Sequence, residues 1–175
     1  MSTSKQLDER LSSLKPRRSS LRLWRGVREP FDILSTRGAR KHGGRWNPPG
    51  VPALYASFEP ATVHAELVRT AELQGDPEAA IYPVRLAQLA VDAEVVELID
   101  PELLRELGVE APLSVLTART ETRRVGAAAI RLGIAALVVP SVAARADNAV
   151  IFTDNLDGAI EVVRERRVSS PGRWP

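Results

Sequence analysis

The chain has 175 residues, 44% of them hydrophobic, with a formal net charge of +2 and no cysteine. Those numbers suit one domain around a single core and exclude disulfides, thiolate nucleophiles and zinc–thiolate centres, leaving His42 and His64 as the only imidazoles. No apolar run approaches the roughly 20 residues that span a bilayer and the polar N-terminus does not resemble a signal peptide, so a soluble, cytoplasmic protein without a membrane partner is expected.

Charge is unevenly spread. Residues 1–45 carry 12 Lys and Arg against 4 Asp and Glu, and the remainder carries 12 against 18. The basic quarter suits an anionic ligand, although residues 1–20 show little apolar periodicity and are expected to form a basic, poorly ordered arm. Residues 21–27 alternate apolar and polar side chains and predict the first strand. A long loop follows over residues 28–50, and loops of that length tend to be functional or disordered. Its end, Gly43-Gly44-Arg45-Trp46-Asn47-Pro48-Pro49-Gly50, argues for function, because two glycines let the backbone approach a ligand closely and paired prolines fix the chain just beyond.

Residues 52–57 predict a short strand. Glu59-Pro60 then opens a helix to about Leu73, stopped by Gly75-Asp76-Pro77. On that helix Val63, Glu66, Leu67 and Thr70 share the inward side, with Arg69 and Glu72 pointing the other way. Residues 81–86, 93–99, 135–139, 148–153 and 159–163 predict strands. Asp100-Pro101 caps a short helix through Leu107, and a second helix over 121–132 ends at Gly133. Residues 164–175 read as a tail. Strands and helices mix without a regular alternation, which predicts a single compact α+β domain over 21–163 with a mixed or antiparallel sheet.

Glu66 is a carboxylate on an inward face, so it either pairs with an arginine or acts on a ligand. Arg45 can grip a phosphate or carboxylate through paired hydrogen bonds, or stack on Trp46. Arg25, at the end of the first strand, is a second clamp or an ordinary strand residue. Tyr55 walls a pocket and offers its hydroxyl, or packs in the core. Ser141, after the most apolar strand, projects at the sheet end or caps a turn. There is no Gly-x-Ser-x-Gly elbow, Gly-x-Gly-x-x-Gly fingerprint or phosphate loop, which disfavours a serine hydrolase and the common nucleotide folds. His42 reads as a polar loop residue and His64 as an exposed helix residue.

The pattern Gly43-Gly44-Arg45-Trp46-Asn47…Gly50, Leu54-Tyr55, Glu66, Thr122…Gly126 and Val139-Pro140-Ser141…Asn148 resembles the RES domain family, with Tyr55 and Glu66 ten and twenty-one residues past Arg45. The resemblance covers about residues 21–156. It implies a fold similar to the ADP-ribosyltransferase toxins and a toxin that cleaves the nicotinamide–ribose bond of NAD⁺, with inorganic phosphate or water as acceptor. NAD⁺ would be the substrate, with phosphate as co-substrate and no prosthetic group or metal. Arg45, Glu66 and Tyr55 would be catalytic. Arg25, Gly44, Trp46, Asn47 and Ser141 would bind or orient substrate, and a helix-turn-helix antitoxin would be the partner. Homo-oligomerisation is left open. The competing readings are a protein ADP-ribosyltransferase and a non-enzymatic nucleic-acid or protein interaction module. Direct nucleic-acid binding is disfavoured, because no basic run is interleaved with aromatics.

Overall fold

The computed structural model describes residues 4–110, 113 and 118–175. Within them six strands form one sheet: β1 (Arg17–Arg28), β2 (Leu54–Ser57), β3 (Val84–Glu97), β4 (Ala136–Pro140), β5 (Asp147–Ile151) and β6 (Glu161–Val168). Among the described residues five α-helices accompany them: α1 (Ser4–Ser13), α2 (Arg37–His42), α3 (Pro60–Gln74), α4 (Pro101–Glu106) and α5 (Ala118–Arg131). The order is β1-β2-β5-β4-β3-β6, and β1 also pairs antiparallel with β3 along its whole length. Because β1 touches β2 as well, at Trp24 and Ser57, the sheet returns on itself. Only β3 and β4 run parallel, so the sheet is mixed within an α+β fold.

Apolar side chains from β1 to β5, among them Leu23, Leu54, Leu89 and Ile151, fill one side of the curled sheet. A second core lies between the sheet and α1, α4 and α5, around Trp46, Leu98, Val125 and Phe152. A third sits under α3, where Val63 and Ala71 meet Val84, Leu86 and Val168. Helix α3 follows its sequence signals: Pro60 stands in the first turn, and Gly75 closes the helix in the left-handed conformation.

The structure corrects three sequence expectations. Residues 4–13 form a helix, not a poorly ordered arm: Leu7 and Leu11, four apart and hence on one face, are buried against the α5 side of the core. Ion pairs Asp8–Arg131 at 2.7 Å and Arg10–Glu106 hold the same helix at its polar edge. Residues 81–86 and 93–99 belong largely to one fourteen-residue strand, β3, which runs on through Ala87-Gln88-Leu89-Ala90 despite the lack of β-branched residues there. That stretch is bonded on both edges by β1 and β6, and the pairing supplies what local propensity lacks. Residues 164–168 complete the edge strand β6, and Trp174 beyond it donates to the Pro60 carbonyl at 2.8 Å, so the C-terminal segment is latched to the start of α3.

Candidate functional site

The glycine loop is held from beneath. Asn47 is wholly buried, and its Oδ1 accepts from the Gly44 N–H (2.8 Å) and the Tyr55 hydroxyl (2.8 Å), while its Nδ2 donates to the carbonyls of Ala39, Pro48 and Val51. The Tyr55 hydroxyl in turn accepts from the Trp46 N–H at 2.9 Å. From the other side, α5 grips the same turn: Thr122 donates to the Arg45 carbonyl (2.6 Å), and Arg123 donates to the carbonyls of Gly44 and His42. Two glycines are sterically required. A Cβ on Gly44 would collide with the Tyr55 hydroxyl, and one on Gly126 would collide with the Trp46 carbonyl oxygen. The bracing leaves the Arg45 side chain as the group the loop presents.

Arg45 faces a cavity of about 320 Å³ shared with Glu66, Arg69, Arg119, Tyr55 and Asn148. Glu66 reaches it from α3, and its Oε1 accepts from the Ser141 hydroxyl at 2.6 Å and from Asn148 Nδ2 at 2.7 Å. Ser141 stands just after β4 and also accepts from the N–H groups of Ala143 and Ala144, so the turn fixes it. Asn148 lies on β5 opposite Ser57 of β2, whose hydroxyl donates to Asn148 Oδ1 at 2.6 Å. The carboxylate is thereby oriented by three separate strand ends.

The rest of the charged lining is cationic. Burial pulls the Arg45 guanidinium below its ordinary pKa, the nearby charges of Arg119 and Arg69 add to that, and Glu66 opposes it. Arg45 Nη1 and Arg119 Nε are buried without a hydrogen-bond partner. Three guanidiniums facing one carboxylate, two of them with unsatisfied donors, favour an anion in the cavity, because such donors are costly until something accepts from them. Trp24, Val63, Leu67 and Leu73 supply an apolar wall beside this polar one.

The family model of the RES domain matches residues 22–173. The chain belongs to the RES domain family. Its fold is similar to that of a chain in the crystal structure of the M. tuberculosis MbcT-MbcA toxin-antitoxin complex, with a TM-score of 0.84 and 24% identity over 94% of this chain and 93% of that one. No curated protein sequence matches the chain.

Within this RES domain, Arg45, Tyr55, Glu66, Gly44 and Asn148 border one cavity, and Ser141 touches it through Glu66. Arg25 borders the same cavity, with its guanidinium already engaged by the backbone. Its guanidinium donates to three backbone carbonyls, those of Ile33, Ser35 and Tyr55, and pins the loop after β1 to β2. Burial lowers its pKa to about 10, so it stays cationic at neutral pH as a structural cross-tie. Trp46 and Asn47 do not line the cavity: at 1% and 0% exposure, Trp46 packs into the core beneath α5 and Asn47 is spent on the loop's own backbone. Tyr55 contributes its ring to the cavity wall but spends its hydroxyl on the loop, and burial drives its pKa upward.

Arg69 borders the cavity with Glu66 and does not turn away from it, because three residues along a helix is only about 60° of rotation and a long side chain covers that angle. Sequence reasoning missed Arg119 outright. It stands in the first turn of α5, upstream of the expected start of that helix at 121, and no local signal marks it. His64 sits half-buried beside Tyr82, Glu78 and Trp174, where it helps hold the C-terminal latch. Among the described residues no group of three or more His, Asp and Glu is placed to hold a metal ion, and no helix is long and apolar enough to cross a membrane.

Proposed function

We propose that this RES domain is an NAD⁺-consuming toxin that cleaves the bond between nicotinamide and ribose. The observation that carries this reading is the Glu66 carboxylate, fixed by Ser141 and Asn148 in one cavity with Arg45 and Arg119. Loss of nicotinamide leaves positive charge on the ribose C1 and ring oxygen. A preoriented carboxylate stabilises that charge more in the transition state than in the ground state. Ser141 and Asn148 hold the carboxylate in place before the charge develops, so little reorganisation is needed during the reaction. The apolar wall of Trp24, Val63 and Leu67 suits the departing neutral ring.

Arg45 and Arg119 suit an acceptor phosphate or the dinucleotide's own pyrophosphate, with guanidiniums offsetting the repulsion between the two anions. With phosphate, an acceptor oxygen forms the new bond to C1 as the C–N bond breaks, giving ADP-ribose 1″-phosphate, nicotinamide and a proton. Water in the same position gives ADP-ribose. Membership of the RES family and the toxin–antitoxin setting of the structural relative support a toxin with an antitoxin partner; that the antitoxin is a helix-turn-helix protein and the NAD⁺ cytoplasmic is part of the proposal.

The test is chromatography of NAD⁺ and its products with purified protein, with and without inorganic phosphate, alongside Glu66→Gln. The amide keeps an oxygen that can accept from Ser141 and Asn148, so the variant should fold while losing turnover by roughly 10²–10³-fold. Intact NAD⁺ under both conditions, with a folded sample, defeats the proposal. Transfer of label from NAD⁺ to a protein band would replace it with a protein ADP-ribosyltransferase.

A further inference from the structure

A cavity of about 320 Å³ lies at the bottom of the range of about 300–1,000 Å³ usual for small-molecule sites, and a dinucleotide carries two nucleosides and a pyrophosphate. A volume of that size suits one nucleoside half and leaves the other to be held beside it. Arg25, Gly26 and Leu67 line that cavity on one side and, on the other, a larger open groove of about 1090 Å³. The groove is bordered by α2 and by the segment after β1, including Phe31.

Its chemistry is unlike that of an ordinary solvated face. Arg37, Arg40 and Lys41 stand three and four positions apart on α2, which puts them on one side of the helix, and all three line the groove. Among the described residues none of the three pairs with a carboxylate, whereas neighbouring Arg28 is tied to Asp76 at 3.7 Å. Like charges at this spacing destabilise a helix, and α2 buries none of its residues in return. Phe31, at 61% exposure, offers an aromatic face at the same groove. Gly38 leaves the helix surface bare between Arg37 and Arg40, and a Cβ there would meet nothing within 4 Å.

We infer that this groove binds the ADP half of the dinucleotide, with Arg37, Arg40 and Lys41 on the phosphates and Phe31 stacked on the adenine. The inference rests on NAD⁺ being the substrate of the adjoining cavity. Charge-assisted bonds to phosphate and stacking on an exposed ring suit an adenine nucleotide, and neither demands a buried pocket. Binding energy gathered remotely in this way would hold the scissile bond at Glu66.

The experiment uses ADP as probe in calorimetric titrations, and NAD⁺ and nicotinamide riboside as alternative substrates. Two variants attack the groove differently: Arg37→Ala/Arg40→Ala/Lys41→Ala removes charge, and Gly38→Trp fills space without changing charge. Both should weaken ADP binding by about tenfold or more and raise KM for NAD⁺ correspondingly, so that the preference for NAD⁺ over nicotinamide riboside collapses. Wild-type ADP affinity and NAD⁺ preference in both variants would overturn the inference, as would failure of the wild-type protein to bind ADP. If ADP binds and the variants abolish it, yet neither substrate is cleaved, the groove stands as an ADP site and the proposed reaction falls.

Discussion

On the carboxylate wall of the cavity, Glu66 accepts from Ser141 and Asn148, and Asn148 is in turn held by Ser57. On the guanidinium wall, Arg45 and Arg119 each bury an N–H that no group accepts, and their charges oppose one another. A satisfied polar network stabilises the fold and fixes geometry, whereas crowded cations with unmet donors cost stability until an anion arrives. The two walls therefore differ in what their loss should do. Removing a side chain from the first should cost both stability and turnover, and removing one from the second should cost turnover alone.

After Glu66→Gln, Arg45→Ala and Arg119→Met carry the largest effect. Each should lower kcat/KM by roughly 10²-fold or less while leaving Tm unchanged or raised by about 1–2 °C. The sign for Arg45 follows from its depressed pKa: the folded state disfavours the charged form relative to the unfolded chain, so removing the charge removes a penalty. That penalty is fully present below the depressed pKa and fades only as pH rises through it, so the Tm difference should not change on acidification from neutral pH and should shrink with added salt. Phosphate or pyrophosphate should raise the wild-type Tm more than that of either variant. A clear loss of stability in both variants would show that the wall is structural and would dissolve the contrast.

Asn148→Ala is the counterpart on the other wall. It leaves Glu66 with Ser141 alone and Ser57 without an acceptor, so kcat should fall by about tenfold and stability by about 1–2 kcal/mol. Thermal melts beside initial rates check both. Full activity with reduced Tm would mean that Ser141 alone orients the carboxylate.

How much of this was legible in the sequence depended on whether a residue's role was local. Glu66 was placed on the inward side of its helix because Pro60 and Gly75 fix where α3 starts and stops, and the 3.6-residue period does the rest. The glycine loop was legible as a structured turn, but the direction of its side chains was not. An aromatic and an amide beside an arginine suit a ligand and a miniature core equally well, and the choice was made by Tyr55, Thr122 and Arg123, which arrive from other elements. The bracing role of Arg25 is hidden for a similar reason: its three acceptors are backbone carbonyls, which no sequence pattern displays. Helix α1 was hidden because two leucines in a polar window become significant only against the surface of α5. Arg119 needed the third dimension altogether, since it lies far along the chain from Arg45 and is brought to it by the Thr122 and Gly126 contacts of α5.

Ser57→Ala is the smallest of these changes and the most discriminating. Ser57 lies on β2 at the cavity's edge, mostly buried, and its hydroxyl donates to Asn148 Oδ1. Without that bond the Asn148 amide gains rotational freedom, and the Nδ2 donor spends less time on Glu66. The expected result is a fall in kcat of roughly twofold to fivefold with KM unchanged, a stability loss of about 0.5–1.5 kcal/mol, and recovery of both in Ser57→Thr, which restores the hydroxyl. If Ser57→Ala turns over like wild type while Asn148→Ala does not, then the backbone pairing of β5 with β2 and β4 is enough to aim the amide. The carboxylate wall would then be ordered by the sheet itself, not by its side-chain relay.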